Sequence, residues 1–413
     1  MTKHKSLKII CSFVMLFFIS KQSFSFLPIN LLNGFDPNLT PVKKPGERLQ
    51  FTFNGATTFS ITANNGLDQN VNPLQRSFQT QDALAMLKGF APSTEQAQLG
   101  QLVNVNDDDG IRGHFKVTGD LKIPFFGTFL VHYYCNHGIW VGASLPILCA
   151  KVKNVQWKDL TQNFTLDDAL THQYITNDLE NTVFRLGNGL KIGDWSNTGI
   201  GNIELRSGWR GYFAQEKTWL KQVMVSAWAG VVLPTDSRRN EDYAVSFDFG
   251  TGGAFAIPFG GDLALCFKNQ FWLGVNLIFF QTFNHTSMRR IQTDINQTDL
   301  LLLQLAKVRR QFGFIQKYNL YFEPIIYKGF SLRFAYEHIK ENETKIYVLS
   351  ESFSNTIANS NFSLDERTIN DFIIEAKFCF DKGPQGIIFG KMPTGGKRSF
   401  QVPLIGFQIN LDF

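Results

Sequence analysis

The last stretch of the chain repeats with a period of two. Phe407, Ile409, Leu411 and Phe413 alternate with Gln408, Asn410 and Asp412. Successive side chains of a strand leave opposite faces of its pleat, so the pattern predicts a strand that is apolar on one side and polar on the other. The same alternation recurs upstream. Leu49, Phe51, Phe53, Phe59 and Ile61 interleave with Gln50, Thr52, Asn54, Thr58 and Ser60. Ile139, Val141, Ala143, Leu145 and Ile147 share a face. Ile203, Leu205, Trp209 and Phe213 oppose Glu204, Arg206, Arg210 and Tyr212, and Phe330, Leu332, Phe334 and Tyr336 oppose Ser331, Arg333, Ala335 and Glu337.

Further strands are predicted from Gly113 toward Cys135, with an interruption near Pro124, and over Trp219–Leu233. Ala244–Ile257 follows, turned at Phe259–Asp262, then Leu263–Phe283, Phe312–Phe322, Phe372–Phe380 and Ile387–Met392. About twelve strands result, with short turns and long polar loops alternating between them. Three loop segments have helical character: Thr80–Lys88, closed by Gly89, then Thr165–Leu186 and Asp299–Val308. Aromatic residues gather beside the short turns: Tyr133, Tyr134 and Trp140; Trp209, Phe213 and Trp219; Tyr321, Phe322, Tyr327 and Phe330. Rings at one common depth predict an interfacial girdle.

The N-terminus changes the setting. Lys3, Lys5 and Lys8 precede an apolar run from Ile9 to Ile19, and Ser23-Phe24-Ser25 follows. This predicts a secretory signal peptide over residues 1–25, cleaved after Ser25, since so short a run cannot span a bilayer as a helix. Residues 26–46, with Pro28, Pro37, Pro41 and Pro45, read as an extended periplasmic lead-in, and 47–413 as the folded body. Beyond the signal no segment is long and apolar enough for a membrane helix, yet the chain carries 41 Phe. The sheet that satisfies all its backbone hydrogen bonds in lipid is one closed on itself.

The closing alternation and terminal Phe413 resemble the final strand of bacterial outer-membrane β-barrels. That resemblance implies an all-β fold: an antiparallel transmembrane β-barrel of about twelve strands, with short helices in long extracellular loops. It implies residence in the outer membrane of a Gram-negative cell, contact with outer-membrane lipid, and recognition of Phe413 by the barrel-assembly machinery.

Charge excludes one class of partner. The formal net charge of +5 includes Lys3, Lys5, Lys8 and Lys21, which leave with the signal, so the mature chain holds 36 basic and 35 acidic residues. That balance gives no support for nucleic-acid binding. Strand parity turns a set of charges inward: Lys116, Asp120, Lys122, Glu204, Arg206, Arg210, Asp248, Lys268, Lys317, Glu323, Arg333, Glu337, Glu375, Lys377 and Asp412. A charge facing the lipid midplane costs about 2–4 kcal/mol, so these groups need water or each other. The candidate pore-lining residues are Glu204, Arg206, Arg210, Asp248, Lys268, Lys317, Arg333, Glu337, Glu375 and Lys377. They predict a porin-like channel for small hydrophilic solutes or ions. A lumen packed shut by ion pairs is the competing arrangement, and would suit a closed barrel acting as an adhesin or surface anchor.

Other chemistry is sparse. Asn104–Gly110, with Asp107, Asp108 and Asp109, spaces oxygen ligands as a calcium loop does, but its glycine is one place late and no bidentate Glu follows, so a solvated turn is the better reading. Gly390–Lys397 lacks the lysine of a phosphate loop where it is needed. The scattered histidines sit near no Ser or Asp partner in sequence, and neither an enzyme nor a cofactor is expected. Cys135 and Cys149 fall at opposite ends of one hairpin, too far apart for a disulfide.

Overall fold

Twelve strands pair edge to edge and close. A computed structural model describes residues 47–64, 70–74, 80–82, 85–103, 114–160, 173, 176–297, 301–361, 364–379 and 384–413. The expected signal peptide and periplasmic lead-in, the stretch Asp107–Asp109 and most of Thr165–Asn177 lie outside these residues. The barrel strands are β1 (Arg48–Thr58), β2 (His114–Tyr134), β3 (Ile139–Asp159), β4 (Glu204–Ala214), β5 (Leu220–Val232) and β6 (Ala256–Phe267). They continue as β7 (Phe271–Thr282), β8 (Ile315–Tyr327), β9 (Phe330–Glu341), β10 (Arg367–Cys379), β11 (Gln385–Lys397) and β12 (Leu404–Asp412). Each pairs with its sequence neighbour, and β12 pairs with β1 to complete the ring. At that seam Phe51 faces Leu411 and Thr52 faces Asn410. Leu49 and Phe413 exchange both backbone hydrogen bonds, so no edge is left there.

One face of the wall is apolar throughout the lower barrel. Phe51, Phe129, Val141, Leu205, Leu273, Leu320, Tyr336 and Phe407 all point out and are exposed. An exposed apolar band of this kind is stable only against lipid. At the end with short turns it is rimmed by Tyr133, Trp209, Phe213, Trp219 and Tyr327. The girdle is therefore narrower than its sequence suggests: Tyr134, Trp140 and Tyr321 are buried on the inner face.

Two sequence expectations fail at the same hairpin. Ala244–Ile257 is not a strand, and Phe259–Asp262 is not its turn. Leu233–Phe255 runs outside the barrel sheet and buries Val245 and Phe249 against Trp195 and Val183. The alternation there serves a water-excluding core, and Gly252 and Gly253 break the pleat with φ of 64° and 88°. Gly260 and Gly261 instead lie inside β6, where Leu277 O and Ser226 O crowd the sites of any Cβ. The true turn is Lys268–Gln270, where Lys268 and Asn269 take left-handed φ of 49° and 55° and the Gln270 amide donates to Phe267 O at 2.8 Å.

The other end of the barrel carries the long connections. Strands His285–Ile291, Gln304–Gln311 and Lys345–Val348 form a separate three-stranded sheet. The helix expected at Asp299–Val308 is thus replaced by a strand from Gln304, whose Ala306 and Val308 pack on Ile346 and Val348. Within Thr80–Lys88, expected to be a helix, Thr80–Asp82 is instead a strand paired with β2 and Ala85–Leu87 a short helical turn; Gly89 takes a positive φ, and helix α1 (Glu95–Val103) follows. Helix α2 (Leu179–Leu186) is capped by Asp178, whose carboxylate accepts from the Asn181 amide. It buries Leu179, Val183 and Leu186 in the core at this end.

β2 changes character along its length. Below Pro124 its even positions, Thr128, Leu130, His132 and Tyr134, are buried. Above, the buried positions are odd: Phe115, Val117, Leu121 and Ile123. Lys122 pairs with Lys151 and Phe125 with Cys149, so Ile123 and Pro124 together face one residue of β3. This is a bulge, a place where proline's missing N–H removes no ladder bond. Parity counted from the lower half fails above it. Lys116, Asp120 and Lys122 consequently point outward, contrary to their inward assignment.

Candidate functional site: the barrel bore

Alternation that puts phenylalanine into lipid puts the intervening residues into the bore. On β1 and β12 these are Gln50, Thr52, Asn54, Gln408 and Asn410, all buried and uncharged. Thr52 Oγ1 donates to Asn410 Oδ1 at 2.9 Å, and Gln408 Nε2 donates to the same oxygen at 2.9 Å. His132 and Thr128 on β2 continue this neutral arc.

The opposite arc is ionic. Near the short-turn end, Arg333 bonds Glu323 at 2.8 Å and lies 3.5 Å from Glu375, while Lys377 reaches Glu323 at 2.9 Å. Arg333 also stacks on Tyr321, its guanidinium 4.4 Å from the ring centre. Four residues higher on β9, Glu337 accepts from Lys317 at 2.6 Å and from Lys391 at 2.5 Å, and Lys391 also reaches Asp371 at 2.8 Å. On the next strands round, Asp262 accepts from Ser226 and from Asn276, whose own oxygen accepts from Asn319 at 3.1 Å. Arg210 lies in register with Ser226. Arg206 chelates Glu204 through Nε and Nη2 at 2.6 and 2.9 Å and covers the Trp228 ring.

Eight of the ten sequence candidates therefore meet in the bore: Glu204, Arg206, Arg210, Lys317, Arg333, Glu337, Glu375 and Lys377. Two do not. Lys268 is exposed at the left-handed turn between β6 and β7. Asp248 sits in the Leu233–Phe255 loop, held by Arg289 at 2.8 Å. Both follow from misplacing that hairpin. Sequence reading missed Asp262, Asp371 and Lys391. Asp262 was hidden by the apparent glycine turn, and Asp371 lies before the expected start of β10. Lys391 shares a face with Ile387 and Phe389, which mimic lipid-facing residues but are buried.

The bore is charge-balanced and tightly filled. Six bases (Arg206, Arg210, Lys317, Arg333, Lys377, Lys391) meet six acids (Glu204, Asp262, Glu323, Glu337, Asp371, Glu375). Arg333 and Glu337 are each 1% exposed and Gln408 is 0% exposed, which leaves no water-sized gap beside them. In this conformation paired side chains, rather than water, occupy the membrane-level lumen, as in other small barrels. Above it the interior becomes apolar. Leu148, Ala150, Val152, Val183, Trp195 and Phe249 close together in one core, and Trp195 packs on Phe247 and Phe249 with ring centres 4.8 and 6.3 Å apart.

No protein-family model matches the chain, and no curated protein matches it. Among solved structures it is similar to an outer-membrane channel from Pseudomonas putida F1, with a TM-score of 0.51 and 10% identity over 92% of this chain and 100% of that one. A lower score, 0.37 at 10% identity over 95% of both chains, relates it to the toluene transporter TbuX of Ralstonia pickettii. At such identities the likeness extends to the fold and no further. That fold is a closed, twelve-stranded antiparallel barrel of the outer-membrane kind.

Proposed function

We propose that the protein is an outer-membrane channel for small hydrophilic solutes or ions, captured here with its bore closed. The observation that carries the reading is the balanced ionic arc. A bore that only needed filling is served at least as well by apolar side chains, because replacing a buried ion set with hydrophobic residues of like volume is often neutral or stabilising by 1–4 kcal/mol. Twelve ionisable groups in one lumen favour a path on which charge and water have a use. By the usual orientation of such barrels the long connections face outward, so α2 and the Leu233–Phe255 loop stand at the entrance.

The test is conductance across planar bilayers. Wild-type protein is expected to give small or infrequent openings. A charge-neutral set, Glu323→Ser, Arg333→Ser, Glu375→Ser and Lys377→Ser, shortens four side chains at one level and is expected to raise conductance severalfold. Silence from both proteins, each shown to be folded, would sink the channel and leave a closed surface anchor. A second reading has its own support: the entrance interior is apolar, so small apolar solutes are candidates. Liposome swelling with arabinose, set against uptake of toluene, separates the two.

A further inference from the structure

The bore sets bases against acids across its strands, and the outer wall of β2 and β3 above the bulge does the reverse. Lys122 stands directly opposite Lys151, and Lys116 directly opposite Lys158. Cross-strand partners share a face, and here it is the outward one. Lys122, Lys151, Lys153 and Lys158 are exposed, while the alternate positions Leu121, Ala150 and Val152 are buried. Like charges set directly opposite one another destabilise an antiparallel pair. The acids on this wall are too few to relieve it. Asp120 lies 3.9 Å from Lys122 and accepts from Asn154 at 2.8 Å. Asp194 lies 3.4 Å from Lys153 and accepts from the Val155 amide at 3.0 Å. Asp159 is in register with Phe115 and so belongs to the inward parity. Beyond Lys151 the next residue in register is Ser196. Among the described residues no carboxylate comes within ion-pair distance of Lys116, Lys151 or Lys158.

Depth decides which anion suits the wall. Lys151 lies ten residues along β3 from Val141, the partner of Tyr133 in the girdle at the short-turn end. At about 3.4 Å per residue and a tilt of about 40°, it stands roughly 26 Å above that girdle, the top of an apolar band about 25 Å tall. Below it on the same outer face Phe125 and Phe129 are exposed to lipid. The Lys122–Lys151 rung therefore meets the headgroup phosphates at the edge of the hydrocarbon. Lys116 lies six residues beyond Lys122 on β2. By the same arithmetic its rung is roughly 15 Å higher. A phospholipid headgroup layer is only about 5–8 Å deep, so it reaches the lower rung and not the upper. A lipid that carries phosphates on an extended sugar head reaches both.

We propose that this lysine wall docks a phosphorylated glycolipid of the surrounding leaflet, with one phosphate at the Lys122–Lys151 rung and another, on the extended sugar head, at the Lys116–Lys158 rung. The wall continues the lipid-facing band upward, so the acyl chains lie against Phe125 and Phe129 while the head rises along the lysines. Each phosphate separates two ammonium groups that otherwise repel. Lysine suits the task because its point charge rides on a flexible stem and follows a mobile headgroup. The assignment stands whether or not the barrel conducts.

Fluorescence anisotropy of labelled lipopolysaccharide, titrated with the full chain refolded in nonionic detergent, puts this to trial. Saturable binding is expected. Lys116→Gln, Lys151→Gln and Lys158→Gln together should weaken it about a hundredfold, at about fivefold per lysine beside an anionic lipid. Lys116→Arg, Lys151→Arg and Lys158→Arg together retain the charge and should keep the affinity. Lys217→Gln with Lys328→Gln, exposed at the short-turn end, should leave it unchanged. The two heights are separated with the same glycolipid hydrolysed to its lipid A. Lys116→Gln with Lys158→Gln should weaken binding of the full lipid about 25-fold and leave that of lipid A unaltered. Absence of saturable binding, equal loss in the short-turn control, or a lipid A that loses as much as the full lipid overturns the proposal. So does equal affinity for phosphatidylglycerol, which would give the wall to any anionic phospholipid.

Discussion

The barrel has two storeys that obey opposite rules. At membrane depth Phe129 and Val131 of β2 point out while Thr128 and His132 point in; on the same strand above Pro124, Lys116, Asp120 and Lys122 point out while Val117 and Leu121 point in. The strand is continuous, its pairing with β3 shifting register between Thr118 and Asp120 and between Lys122 and Phe125. What changes is the solvent on its outer side. In lipid the wall must be apolar outside, and the bore takes the polar residues. In water the wall is polar outside, and the interior becomes an ordinary hydrophobic core. The bulge at Ile123-Pro124 sits where one regime gives way to the other. The lower storey is held by charge pairing and the upper by burial, so the two should fail differently.

The largest effect is expected in the lower storey. Arg333→Met removes the partner shared by Glu323 and Glu375 and leaves buried charge uncompensated, a loss of about 3–5 kcal/mol. Urea unfolding of the barrel in vesicles, followed by tryptophan fluorescence, measures it. Adding Glu323→Gln to that variant should restore part of the loss, since the surviving Lys377–Glu375 pair, 3.7 Å apart, is then balanced. A double variant no better than the single would mean that the ionic arc is not a coupled set. In the upper storey Phe249→Ala empties a fully buried ring site, for about 3–4 kcal/mol. That loss should appear as faster proteolysis of the Leu233–Phe255 loop while the barrel keeps its resistance to unfolding. Global unfolding instead would join the two storeys into one cooperative unit.

The boundary itself can be tested on one strand. Phe129→Arg places a charge on the lipid face and should cost about 2–4 kcal/mol. Lys122→Ala, seven residues away beyond the bulge, should change stability by less than about 0.5 kcal/mol, as exposed surface positions do. Equal effects at the two positions would place both in the same solvent and remove the inversion.

How much of this was legible in the sequence follows from the same division. β12 and β1 as far as Thr58 read correctly because lipid outside and polar groups inside force strict alternation, and Phe51, Phe407 and Leu411 have nowhere else to go; Ile61, assigned to the same outer face, lies beyond β1 and is buried in the core. Nine bore charges, Glu323 among them, were legible for the same reason. Val245, Phe247 and Phe249 also alternate, but around a loop core that alternation cannot distinguish from a membrane strand. Gly260-Gly261-Asp262 looked like a turn, whereas Lys268-Asn269 makes one with no glycine. Parity carries no record of a bulge, so every inward assignment above Pro124 on β2 was reversed. The pairing of Lys391 with Glu337 and Asp371 spans strands and has no signature along the chain.

The smallest expected effect concerns how the upper storey is pinned by charge. Burial opposes ionisation of Asp248, but Arg289 and Arg310, with the Arg239 amide, outweigh it and hold its carboxyl below the ordinary 3.8. A carboxyl with a depressed folded value contributes stability that is present above the unfolded value and is lost as pH falls through the folded one. The contribution should therefore be complete at neutral pH and fade only below about 3.8. Asp248→Asn should remove about 1–2 kcal/mol of it at neutral pH by taking away the charge on which both guanidiniums close. Hydrogen exchange reads this locally. Amides of Leu233–Phe255 should exchange faster in Asp248→Asn at neutral pH and in the wild type only under strong acid, with β1 and β12 as an unmoved internal reference. Acid that frees the β1 and β12 amides together with the loop would show that the two storeys share one lock, and the contrast drawn along β2 would then describe exposure without describing stability.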